Sequence, residues 1–139
     1  GAPVEVTENE KPLVFLHKEL ATDSGGAGRY RGGLGQKFSV RSTSEEKMTF
    51  AVRVDRTAHP TIGIEGGGRG APSRVEVNGK AVHPKKTLEL FKGDVYTVQC
   101  AGGAGYGAPG ERDGEALARD VADGYVSPEA ARRDYGRRD

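Results

Sequence analysis

The residues best suited to chemistry in this chain lie in one stretch, Asp23 to Gly35, which reads Asp-Ser-Gly-Gly-Ala-Gly-Arg-Tyr-Arg-Gly-Gly-Leu-Gly. Arg29 and Arg31 supply forked cationic donors and Tyr30 an amphipathic ring, with Asp23 and Ser24 as short polar neighbours. The six glycines among them let another segment or a ligand come close to the backbone. Successive N–H groups beside two arginines could cradle a phosphate. The dedicated fingerprints are missing, however: no Gly-Lys-Ser/Thr follows the glycines, and no G-x-G-x-x-G opens a helix. A close-packed connection is therefore the first expectation for this stretch, ahead of direct ligand binding.

Other reactive residues are scattered. His17, His59 and His83 have no metal-ligand spacing, so no metal site is expected within the chain. Asp55 and Asp94 are flanked by turn and surface residues, which suits turn chemistry better than acid–base catalysis. Cys100 is the only cysteine. It excludes an internal disulfide or a thiolate cluster, fits a reducing, cytoplasmic setting, and at the end of an apolar strand reads as a buried, inert thiol. No nucleophile, base and orienter can be assembled, so the chain alone is expected to be noncatalytic.

The elements that must hold the stretch can be read from composition and pattern. A length of 139 residues fits one domain. With aromatics at 6% and no tryptophan, the core must be thin. A net charge of +1 creates no field to attract nucleic acid or anionic lipid, and no apolar run approaches membrane-span length. Residues 1–12 read as an extended arm, 13–109 as a β region and 110–139 as a helical tail.

Within the β region, Leu13 to Leu20 starts apolar and turns polar, as a strand emerging from a core would. Gln36 to Arg41 and Met48 to Val54 alternate and suggest an antiparallel hairpin. Asp55 to Pro72 is a long loop, of a length that is usually functional or laid against a partner. Asn78-Gly79 predicts a type I′ turn between Val75–Val77 and Ala81–Val82. Thr87 to Leu90 and Val95 to Gln99 are further short strands around Lys92-Gly93-Asp94. Together these predict a mainly β fold, an antiparallel sandwich or barrel-like domain with glycine-rich loops. Two short helices end the chain, one capped by Asp113 and stopped near Gly124, the other begun by Ser127-Pro128 and closed by Gly136. Neither is long enough to stand alone in water.

The stretch at 23–35, preceded by Pro-Val-Glu-Val-Thr-Glu at 3–8, resembles the C-terminal region of the hydantoinase B and oxoprolinase family. The resemblance continues through Gly-Gly-Ala-Gly-Tyr-Gly-Ala-Pro at 102–109, Glu111-Arg112-Asp113, and the alternation from Ala118 to Gly136. Where the family often has Pro-Trp-Gly, this chain has Pro60-Thr61-Ile62-Gly63. The resemblance implies a small, noncatalytic subunit or C-terminal piece that completes a B-type subunit. The enzymes in question are ATP-dependent amidohydrolases of cyclic amides, or related carboxylases such as acetone and acetophenone carboxylase. It implies hydantoinase A-type and B-type large subunits as partners, with ATP and a divalent metal held there and no cofactor in this chain. On this view Asp23, Ser24, Arg29, Tyr30, Arg31 and Tyr106 form an interface or an active-site rim. The alternative is a free-standing β-sandwich module that binds an anionic or sugar ligand through its glycine-rich loops.

Overall fold

The computed structural model describes residues 3–136. Gly1 and Ala2 of the expected arm and residues 137–139 of the expected tail lie outside them. The first element is a helix, α1 (Val4–Glu10), followed by the strands β1 (Leu13–Leu20), β2 (Gln36–Ser42) and β3 (Met48–Ala51). Next come β4 (Arg74–Val77), β5 (Lys80–Ala81), β6 (Thr87–Leu90) and β7 (Val95–Gln99). A short 3-10 helix, Pro109–Glu111, leads to α2 (Gly114–Ala122) and α3 (Pro128–Tyr135).

Two antiparallel sheets face each other. The larger has the order β1-β2-β7-β4-β5, and the smaller pairs β3 with β6. Alternation along the strands explains the arrangement. Val40 of β2, Val75 of β4 and Tyr96 and Val98 of β7 point inward from the large sheet, and Leu90 of β6 closes on them with Val52. Phe15, Phe38, Met48, Phe50 and Leu88 complete this core, with Phe50 and Tyr96 in tilted contact at 4.5 Å between ring centroids. The outer face of the large sheet is polar: His17, Ser39, Thr97 and Glu76 form one cross-strand row, and Glu19, Lys37, Gln99 and Arg74 the next. A bulge at Leu16 sets this register on β1.

Three expectations change. Residues of the arm form α1 because Pro3 sits at the N-cap, where its missing N–H is not needed, and its carbonyl accepts from the Thr7 N–H at 3.2 Å. The Glu8 carboxylate then accepts from the Phe15 N–H at 2.7 Å and ties the helix to β1. Second, β2 and β3 do not pair with each other: β2 lies between β1 and β7, while β3 crosses to β6. Alternation determines which face a strand buries but not its partner, and here the two strands cover one core from opposite sides. Third, Cys100 is exposed, because the chain leaves the sheet after Gln99.

The Asn78-Gly79 turn is present, with φ of 50° and 75°, the combination a type I′ turn requires. Both C-terminal helices carry the expected caps. Asp113 accepts from the Ala116 N–H at 2.8 Å and Ser127 from the Ala130 N–H at 3.1 Å, and Gly136 ends α3 in the left-handed region at φ 68°. The helices bury Leu117, Val126, Ala130 and Ala131 in a second, smaller core.

Candidate glycine-layer interface

The two cores are joined by a layer made almost entirely of backbone. Three glycine-rich segments that read as loops, residues 24–35, 61–71 and 100–107, lie side by side as extended chains. Their hydrogen bonds run between segments. The Gly26 N–H donates to Gly103 O at 2.8 Å, Gly68 to Ala27 O at 2.6 Å, Gly105 to Gly68 O at 2.9 Å, and Gly102 to Ala71 O at 3.0 Å. Such chains can approach this closely only where no side chain intervenes. A Cβ on Gly67 would fall inside contact distance of the Gly105 carbonyl, and one on Gly105 would meet the Ala27 carbonyl. Glycine serves here as a spacer of zero thickness, a role that hydrophobic periodicity cannot reveal.

The layer consumes many of its own donors. The N–H groups of Asp23, Gly26, Arg29, Tyr30, Gly32 and Gly35 donate to protein oxygens, as do those of Gly68, Gly70, Gly102, Gly103, Gly105 and Gly107. An anion nest needs such groups free and convergent, so the geometry works against a phosphate cradle.

Among the expected interface or rim residues, Asp23, Ser24 and Arg31 turn inward. Asp23 adopts a positive φ of 60° and its carboxylate accepts from the Ser127 N–H at 2.8 Å, fixing the start of α3. Ser24 is buried; its hydroxyl donates to Ala21 O at 2.5 Å and accepts from the Gly35 N–H at 2.8 Å. Arg31 donates from Nε and Nη2 to Asp120 at 3.1 and 3.3 Å, and from Nη1 to its neighbour Gly32 O at 2.6 Å. Its guanidinium also lies 5.6 Å from the Tyr125 ring centroid.

Arg112 completes this cluster, donating from Nη2 to Asp120 Oδ2 at 2.6 Å and from Nη1 to Arg29 O at 3.2 Å. The side chains of Arg31, Arg112 and Asp120 are only 16%, 11% and 10% exposed. One carboxylate thus gathers two guanidinium groups and locks α2 to the glycine layer, an arrangement favourable only while all its partners are present. Arg112 and Asp120 were not singled out as site residues from sequence. The available signal was an acidic residue, Asp120, on the otherwise apolar face of α2.

Arg29, Tyr30 and Tyr106 face outward. Tyr30 and Tyr106 exchange two backbone hydrogen bonds, at 2.9 and 3.0 Å, and their rings lie 6.2 Å apart. The Arg29 guanidinium sits 5.7 Å from the Tyr30 ring and 3.9 Å from Glu111. Ile64 bridges to Tyr106 on the other side. Together they form an exposed ledge at the edge of the layer. Among the described residues, no group of three or more His, Cys, Asp or Glu is placed to hold a metal ion, and no helix is long and apolar enough to cross a membrane.

This architecture and its motifs recur in known proteins. An uncharacterized protein of Methanocaldococcus jannaschii is 39% identical over 139 aligned residues, covering 97% of this chain and 24% of that protein. The caprolactamase subunit beta of Pseudomonas jessenii is 30% identical over 142 residues, covering 96% and 24% respectively. A crystal structure of the ATP-dependent caprolactamase from that organism superposes with a TM-score of 0.80 at 27% identity, over 98% of this chain and 25% of that one. A nucleotide-free acetone carboxylase shares the fold with a TM-score of 0.76 at 22% identity, covering 97% of this chain and 23% of that one. The chain therefore spans about a quarter of the length of these relatives. The model of the hydantoinase B/oxoprolinase family matches residues 1–109, and the chain belongs to that family.

Proposed function

We propose that this chain is a small, noncatalytic structural piece of an ATP-dependent amidohydrolase or carboxylase, completing a B-type subunit whose remaining parts carry the chemistry. One observation carries the reading. The motifs that suggested a binding loop are turned to internal packing: the N–H groups of Gly26, Gly32, Gly68, Gly102, Gly103 and Gly105 bond to protein carbonyls, and Arg31 is held by Asp120. In this reading ATP and a divalent metal reside in the hydantoinase A-type and B-type large subunits.

The alternative, a free-standing β-sandwich module that binds an anionic or sugar ligand through its glycine-rich loops, is disfavoured because many of the backbone donors in those loops bond within the layer. The experiment is a subunit inventory of the native assembly by mass spectrometry, with turnover of cyclic amides measured with and without this chain. The expected result is copurification with A-type and B-type chains, and no activity from this chain alone. A monodisperse, active monomer would refute the proposal.

A further inference from the structure

We propose that the ledge formed by Tyr30, Ile62, Ile64 and Tyr106 is the seat on which the rest of a B-type chain docks. The inference rests on the function proposed above and assigns the partner to a surface. These four residues are 61%, 71%, 62% and 51% exposed, unusually open for large apolar side chains drawn from two different segments plus Tyr106 of a third. Tyr106 bridges both Tyr30 and Ile64 through the backbone, so these three are contiguous, and Ile62 lies two residues before Ile64 on the same segment. Clustered exposed apolar residues of this kind mark interaction surfaces, whereas single ones do not.

Composition and rigidity support docking of protein. Tyrosine and arginine are the side chains enriched at interface centres, and here Arg29 lies against Tyr30 at the margin with Glu111 beside it. The ledge is also held in place before any partner arrives. Tyr30 and Tyr106 are fixed by paired backbone bonds, and the Gly107 N–H donates to Ile64 O at 3.0 Å. The backbone of the ledge therefore has little conformational entropy left to lose on association, which favours affinity for a given area.

The occupant follows from length. The same fold occurs in the caprolactamase and acetone carboxylase structures as about a quarter of a chain, so three quarters of such a chain is available to cover it. The outer face of the large sheet is a poorer seat. Its Glu19, Lys37, Arg74 and Glu76 mix both signs, the pattern of a solvated surface that is costly to desolvate.

The test measures binding of the full chain to the B-type large chain of its native assembly, as identified by mass spectrometry. Three proteins are compared: wild type, the double variant Ile62→Glu/Ile64→Glu, and the sheet-face variant Lys37→Glu/Arg74→Glu. A photo-crosslinking residue at position 62 gives an independent readout that needs no loss of binding. The inference expects at least a tenfold loss for the ledge variant with an unchanged thermal midpoint, less than a threefold change for the sheet-face variant, and crosslinks from position 62 into B-type sequence. Full binding by the ledge variant, or loss confined to the sheet-face variant, overturns the seat while leaving the proposed function standing. Failure of the wild-type chain to bind any B-type chain overturns both.

Discussion

Substituting Gly67 by alanine adds one methyl group at a point where the backbone of another segment already occupies the space. The Cβ would meet O and C of Gly105, and lie 2.8 Å from Tyr106 N. These are backbone atoms, so no side chain can swing away, and the 61–71 segment must separate from 100–107. Separation puts at risk the bonds Gly105 N–H to Gly68 O at 2.9 Å, Ile64 N–H to Gly105 O at 3.2 Å, and Gly68 N–H to Ala27 O at 2.6 Å. At about 1 kcal/mol net for each, the loss is about 3 kcal/mol. Alanine recovers about 0.5 kcal/mol by restricting the unfolded chain. The expected destabilisation is thus about 2.5 kcal/mol, or roughly 8 °C in thermal midpoint for a domain of this size. Gly33 is the matched control. A Cβ there meets nothing within 4 Å, and Gly33→Ala should be neutral or slightly stabilising. Denaturant titration of both variants followed by circular dichroism provides the comparison. If Gly67→Ala unfolds within about 0.5 kcal/mol of Gly33→Ala, a difference typical of an unconstrained surface site, the glycine layer is not close-packed and the reasoning fails.

Three further outcomes follow from other parts of the molecule. Asp120→Ala leaves Arg31 and Arg112 facing each other without a shared carboxylate; it should cost about 3 kcal/mol and make residues 110–136 the first region cut in limited proteolysis. Asn78→Ala should cost about 1–2 kcal/mol, because alanine tolerates the left-handed turn poorly and loses the bonds to Asp94 and the Val95 N–H. In the same variant, NMR titration should show the Asp94 carboxyl rising toward its ordinary range, since the Asn78 amide is the first cause of its depression, with the Phe91 N–H second. Tyr96 is held in the core, and burial first, then nearby Cys100, pushes its phenol from 10.0 up to about 12. The folded state therefore favours the neutral ring. This contribution to stability is complete below the unfolded phenol range near pH 10 and is lost as pH rises toward 12, so denaturant midpoints should fall across that window, with a delayed phenolate absorbance.

The sequence was most legible where side chains carry the pattern. Val75–Val77 around Asn78-Gly79, the caps at Asp113 and Ser127, and the run Leu13–Leu20 each state a local preference that the fold has no reason to override. Strand partners were not legible. Phe38 and Val40 on β2 and Phe50 on β3 show which side is buried, and the same pattern serves a hairpin or the two halves of a sandwich. The stretch at 23–35 read as a close-packed connection, but the strips it packs against were not legible, because periodicity is written in side chains and these segments are rich in glycine. Within the candidate site, Tyr30 and Tyr106 stood out through their glycine-flanked motifs. The inward turn of Arg31 depended on Asp120, nearly ninety positions away, and no local rule connects the two.

The glycine layer also imposes an order of events on a growing chain. Its three strips come from residues 24–35, 61–71 and 100–107, and the middle one cannot be sealed until the last has been synthesised. The contacts that join the two cores are therefore among the most distant in sequence, and closing them waits on loop entropy. Until residue 107 leaves the ribosome, the 61–71 strip can reach Ser24 O and Ala27 O through the Ala71 and Gly68 N–H groups, but Gly26 has no Gly103 carbonyl to meet and the layer stays open on one side. A nascent chain interrupted in that interval would present bare, unpaired backbone, the kind of surface that quality-control chaperones recognise and aggregates recruit.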